Sequence, residues 1–145
     1  MALHLIKLCV GCDSVRDLES WIKQKLKEKR KRGEKPEHVH RTRMVPKRAA
    51  ELVDGGSLYW VIRGEIACRQ RIRDVRPFRD KEGIGRCAIV LDPKVVLTAP
   101  RPYRAFQGWR YLAANDAPRD LETAAPGATA MPEKLRRELR ELGLM

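Results

Sequence analysis

The chain has 145 residues, 43% hydrophobic and 34% charged, enough for one core with a short appendage and too apolar for wholesale disorder. Lys and Arg number 31 against 19 Asp and Glu, a net charge of +12, which favours polyanionic partners and says nothing of fold. No run of 18 apolar residues occurs, Met1 to Val10 has neither a charged leader nor a small-residue cleavage site, and four cysteines are too few for a disulfide-stapled scaffold. A cytoplasmic protein with reduced thiols and no membrane partner is the expectation.

Residues 3 to 10 are short, apolar and followed by Gly11, which reads as a buried strand. Ser14-Val15-Arg16-Asp17 has the form of a capping box, and Val15, Leu18, Ile22 and Leu26 then recur at helical spacing, with Trp21 at the edge of the stripe. Lys23 to Arg32 fill the helix end with cations, where the dipole favours them, and Gly33 to Pro36 closes the element. A short strand over 39–44 follows, with His38 and His40 sharing one face that reads as exposed. A helix from Pro46 to about Asp54 then stops at Gly55-Gly56.

From Leu58 to Val75, Ile62, Ile66, Cys68 and Ile72 alternate with Arg63, Glu65, Arg69, Arg71 and Arg73. Period-two alternation sends one face to a core and leaves a ladder of arginines on the other, with Gly64 marking a bend or bulge between two strands. Asp80 to Gly85 is a turn, Arg86 to Leu91 an antiparallel return strand, and Val95 to Leu97 a further short strand. Residues 116–131 have the Ala and Pro content of a linker. Pro132 to Leu142 is an amphipathic helix with Leu135, Leu139 and Leu142 on one stripe, which must dock on this domain, on a second copy or on a protein partner. The division is a domain over 1–115, a linker over 116–131 and a C-terminal helix over 132–145.

The charge is clustered. Residues 23 to 48 hold 12 basic against 3 acidic groups, residues 63 to 86 hold 8 against 4, and residues 94 to 119 hold 5 against 1. Clustered cations are the electrostatic footprint of nucleic-acid binding, and an arginine-only strand face repels itself unless an anion covers it. Tyr103, Phe106, Trp109 and Tyr111, interleaved with Arg104 and Arg110, have the composition of a base-stacking platform or of a lid on the core. The candidate nucleic-acid-binding residues are Lys27, Lys29, Arg30, Arg32, Arg69, Arg71, Arg73, Arg104, Trp109, Arg110 and Tyr111.

No phosphate-binding glycine loop and no catalytic motif is present, and no catalytic residue is assigned. Cys9-Val10-Gly11-Cys12 is a lone CxxC, and the remaining Cys and His residues do not complete a zinc spacing, so no metal or cofactor is expected.

Four separated blocks, Leu3 to Gly11, Arg43 to Arg48, Gly55 to Ile62 and Phe106 to Leu112, together resemble an alphaproteobacterial family grouped as domain of unknown function 1489. The resemblance spans about residues 1 to 120, leaves out the tail helix, and implies a bacterial cytoplasmic setting. A helix ending in Gly-Gly, a Tyr-Trp strand and a basic strand are also similar in order to the small PUA and ASCH barrels, which commonly bind RNA or modified bases.

The reading is an α+β fold with a small, mostly antiparallel, curved or barrel-like sheet, two flanking helices and a C-terminal amphipathic helix. Its expected role is binding of structured or ribosomal RNA through a basic sheet face. The alternatives are a PUA-like hydrolase with Lys47, Arg48, Glu51 or Glu65 beside Tyr59 and Trp60, and an adaptor acting through residues 132–142.

Overall fold

The fold is taken from a computed structural model that describes residues 2–104 and 106–121. The C-terminal helix expected over 132–145 and most of the linker lie outside the described residues.

The elements follow the hydrophobic pattern. Strand β1 (Leu3–Leu8) leads into helix α1 (Val15–Lys31), whose buried residues are Val15, Leu18, Ile22 and Leu26. Ser14 caps it by accepting from the Asp17 amide, and the Asp17 carboxylate accepts from the amide of Asp13, one residue earlier than the usual box pairing. Strand β2 (His38–Thr42) and the short helix α2 (Ala49–Val53) come next. Helix α2 begins later than Pro46 suggests, because residues 43–48 are drawn instead onto the last strand.

The long alternating run is a hairpin, β3 (Ser57–Ile62) and β4 (Glu65–Arg79). Arg63 and Gly64 both have positive φ, 52° and 79°. That is the signature of a two-residue type I′ turn, whose twist matches the flanking strands. Gly64 therefore divides the run by reversing it. Strands β5 (Gly85–Leu91) and β6 (Val96–Pro102) pair in succession with β4, and β7 (Trp109–Ala113) closes the order, followed by a single 3-10 turn at Ala114–Asp116.

Among the described residues the result is α+β, a mixed seven-stranded sheet with two helices. The hydrogen-bonded path is β2-β5-β4-β3-β1-β7, with β6 also on β4. Among the described strands, only β1 and β3 pair in parallel. The ladder is not closed into a barrel, since β2 and β7 end it on opposite sides. A hydrogen bond of 2.9 Å from the Trp109 indole Nε1 to the Met44 carbonyl nevertheless ties β7 to the segment just after β2. The β4 register shifts between Ile72 and Asp74, the kind of bulge at which a long strand bends.

Both faces of the central strands are covered. The inner face carries Leu5, Leu58, Trp60, Cys68, Ile72 and Trp109 against the α1 stripe. The outer face carries Ile6, Tyr59, Val61, Ile66 and Leu112 under Tyr103, Phe106 and Ala117. Every residue of β3 is buried, which is why SLYWVI reads as a nearly unbroken apolar run. Among the described residues, no helix is long and apolar enough to cross a membrane.

The exposed histidine face expected on β2 is instead an inner one. His38, His40 and Thr42 stand opposite Leu91, Ile89 and Cys87. His38 is 2% exposed and meets the edge of Trp21; His40 meets the edge of Trp60. Both Nε2 atoms are buried without a hydrogen-bond partner among the described residues. Burial, with Lys29 near His38 and Lys7 near His40, pushes each imidazole down to about 4.

Two predictions follow from this packing. A Cβ on Gly56 would lie 2.3 Å from the carbonyl oxygens of both Leu3 and Leu52. Gly56→Ala is therefore expected to cost about 3 kcal/mol, read as a drop in the urea midpoint. For the histidines, the unfolded chain takes up protons near 6.5 and the folded one only near 4. Stability present above pH 6.5 is thus lost as the pH falls toward 4, by about 3 kcal/mol for His38 alone. Replacing His38 by Leu should reduce the slope of unfolding free energy between pH 6 and 5 by about 1.4 kcal/mol per pH unit.

Candidate functional site

The arginine ladder is present but interleaved with carboxylates from elsewhere in the chain. Arg69 donates through Nε and Nη2 to both oxygens of Asp120, at 2.8 and 2.7 Å, and through Nη1 to Ser57 Oγ at 2.9 Å. That fork-to-fork pairing makes Arg69 part of the framework rather than a free cation. Arg73 reaches Asp92 at 3.2 Å, Arg76 bonds Asp74 and Glu37, and Arg86 bonds Asp80. The Arg76 hydrogen bonds hold Glu37 and Asp74 below the usual carboxylate range, and Arg86 does the same for Asp80. Arg71 is exposed and forms no ion pair among the described residues.

The aromatic cluster is divided by the pleat of β7. Trp109 and Tyr111 lie on its inner side, 4.9 Å apart between ring centroids, whereas Arg110 projects to the outer side, 4.6 Å from the ring centroid of Phe106. Phe106 and Tyr103 pack on each other and on the outer face of the sheet. Trp109 is buried, so of the four aromatics Tyr111, 36% exposed, is the one presented to solvent. Arg104 is exposed near this segment.

The chain brings a further set of residues to Tyr111. The Arg48 amide donates to the Tyr111 hydroxyl at 3.2 Å, and the Arg48 guanidinium lies 5.7 Å from the Tyr111 ring centroid. Arg48 is also held by Glu51 at 2.5 Å. Met44 and Val45 are exposed beside exposed Arg43 and Lys47. This corner is an apolar and aromatic surface rimmed by cations, built from residues 43–48 and 109–111. Sequence reasoning placed Tyr111 in a site but not Arg43, Lys47 or Arg48 beside it, because more than 60 residues separate the two halves and no local pattern announces the pairing.

At the other end of β2, the basic end of α1 is tied down. Lys29 Nζ donates to the Glu37 carbonyl at 2.5 Å, one residue before β2 begins. Arg32 pairs with Glu34 at the surface, and Lys27 and Arg30 are exposed. Strand β2, an edge of the sheet with Arg41 exposed on it, therefore runs from the lysine-rich end of α1 toward the Arg48 and Tyr111 corner.

The residues of the hydrolase reading are not gathered. Tyr59 belongs to the outer cluster and Trp60 to the inner one, while Glu51 is engaged by Arg48. Trp60 donates to Gln70 at 2.9 Å inside the core. Cys9, Cys12, Cys68 and Cys87 are free thiols, and burial together with the adjacent Cys12 thiol pushes the Cys9 thiol up. Among the described residues, no group of three or more His, Cys, Asp or Glu is placed to hold a metal ion.

The family described as a protein of unknown function, DUF1489, matches residues 5–145, and the chain belongs to it. The resemblance drawn over about residues 1 to 120 thus extends through the C-terminal segment. No curated protein and no solved structure matches the chain.

The Trp109 to Met44 hydrogen bond, with that of the Arg48 amide to Tyr111, holds the 43–48 segment against β7. Trp109→Phe is expected to lower stability by about 1 kcal/mol and to speed hydrogen exchange at the amides of residues 43–48 severalfold, measured by exchange mass spectrometry.

Proposed function

With membership of the DUF1489 family as the premise, we propose that the protein binds RNA along the β2 edge and the adjoining corner formed by Arg43, Lys47, Arg48 and Tyr111. The observation that carries this reading is the exposed Tyr111 ring with the Arg48 guanidinium over it, flanked by exposed Met44 and Val45. A solvent-facing ring beside cations is the arrangement on which an unpaired base stacks while its phosphates are held at the rim. Lys27, Arg30, Lys31 and Arg41 extend the positive field along the edge strand. Such an edge, charged and without a strand partner on one side among the described residues, also resists pairing with another sheet.

In this reading the ladder changes roles. Arg69 braces the fold through Asp120, and Arg71 and Arg73, two strands in from the β2 edge, are outlying phosphate contacts. Arg104 and Arg110 add positive charge at the β7 edge. The contact of Trp109 on β7 with Met44 just after β2, at opposite ends of the strand order, is what supports the likeness to PUA and ASCH barrels, and a cytoplasmic setting accords with RNA as partner.

Fluorescence anisotropy with short single-stranded and hairpin RNAs at several salt concentrations tests the proposal. With about five phosphates engaged, the logarithm of affinity should fall with the logarithm of salt at a slope near −3.5 for a single strand. Tyr111→Ala should weaken binding by about 1 to 3 kcal/mol, as loss of one stacked base does. A flat salt slope, with affinity unchanged by Tyr111→Ala and by Arg43→Ala with Lys47→Ala, would overturn it.

A further inference from the structure

A second feature lies on the outer face, where the segment after β7 crosses the sheet. A cavity of about 330 Å³ opens between that segment and β1, β3 and β4, lined by His4, Ser57, Tyr59, Arg69, Arg119 and Asp120 among others. It is at the small end of the range for ligand sites. Register explains how its floor is assembled: Tyr59 stands opposite Arg69 on β3 and β4, and Ile6 beside Tyr59 places His4 in the neighbouring row on β1.

The hydrogen-bond inventory of this floor is one-sided. His4 Nδ1 accepts from the Ser57 amide at 3.0 Å, so the proton of the neutral ring is on Nε2, a donor. Burial and the nearby Arg69 charge lower the pKa of His4. Ser57 Oγ accepts from Arg69, which leaves its own hydroxyl hydrogen to donate. Tyr59, whose hydroxyl makes no hydrogen bond among the described residues, lines the cavity. Arg69 spends three of its five N–H groups on Asp120 and Ser57, and two remain. Both oxygens of Asp120, the one carboxylate in the lining, are already engaged by Arg69. Among the described residues, Arg69, Tyr59, Ser57 and His4 in the lining therefore each keep a donor to spare, and the lining holds two guanidinium groups against one carboxylate.

We infer that this cavity is a binding site for a small oxyanion, the phosphate group of inorganic phosphate or of a phosphomonoester, held by Arg69, Tyr59, Ser57 and His4. A negatively charged group rich in acceptor oxygens suits a lining of donors, and the Asp120 pairing keeps the Arg69 fork oriented for it. The site does not depend on the RNA interface, since it occupies the opposite face of the sheet from the Arg48 and Tyr111 corner.

The test is titration of the full chain with inorganic phosphate, following the histidine ring signals by NMR against chloride at matched ionic strength. With three histidines in the chain, His4 is readily assigned. The expected result is a saturable shift of the His4 ring alone, with affinity reduced about tenfold in Tyr59→Phe, a variant that loses only a hydroxyl, and unchanged in Tyr111→Ala. A His4 response no larger in phosphate than in chloride, or equal affinity in wild type and Tyr59→Phe, would overturn the inference. A dinucleotide carrying a 5′-phosphate distinguishes the sources. Displacement of inorganic phosphate by it, and not by the 5′-hydroxyl form, assigns the site to nucleic-acid ends, whereas saturation by inorganic phosphate alone assigns it to the free ion.

Discussion

The parallel pairing of β1 with β3, covered on both faces, is the constraint on which the rest of the molecule depends. Leu5 stands beside Leu58 and Ile6 beside Tyr59, so each step along the pair alternates between a layer filled by α1 and a layer filled by the segments around β7. Two adjacent strands buried on both sides admit no water to their backbone groups, and those groups must be satisfied by neighbouring strands. The neighbours supplied are β4 beside β3 and β7 beside β1. Because the side-chain period is two, the same pairing also sends Tyr59 and Trp60 to opposite sides, and with them the two surfaces on which ligands could be read.

Charge is arranged within that frame in two ways. On the outer face and along β4, arginines meet carboxylates that arrive from distant positions, as Arg69 meets Asp120 and Arg76 meets Glu37. Like charges on a strand face are tolerated because opposite charges are placed between them. Along β2 and around residues 43–48, cations stand at the surface with apolar and aromatic neighbours and few carboxylates. Arginines are thus paired with carboxylates along β4 and on the outer face, while Arg41, Arg43 and Lys47 at one edge form no ion pair among the described residues.

Much of the fold was legible because local physics decides it. The stripe Val15, Leu18, Ile22 and Leu26 and its Ser14 cap mark α1 in the sequence as they do in the structure. The alternation from Leu58 to Val75 marks two strands, and only the nature of their junction needed the positive φ angles of Arg63 and Gly64 to be seen as a hairpin. His38 and His40 misled for a physical reason: a histidine beside a basic run looks solvated, and what buries these two is β5 together with Trp21 and Trp60, none of them adjacent in the chain. The barrel-like expectation met an open sheet in which the segment after β2 is joined to β7 by the Trp109 and Tyr111 hydrogen bonds alone among those of the described residues.

By itself the sequence determined the α+β class, the apolar stripe of α1, the breaks between elements and the excess of positive charge, all of which depend on residues a few positions apart. Tertiary structure alone decided which cations are free. Arg69, Arg71 and Arg73 are equivalent in the pattern, yet Asp120 takes the first and Asp92 the third, across separations of 51 and 19 residues. It alone brought Arg48 to Tyr111 and closed His4, Tyr59 and Arg69 around a cavity. The reason is that local sequence dictates the direction in which a side chain points from its strand or helix, whereas the group it meets is set by which strands pair and in what register.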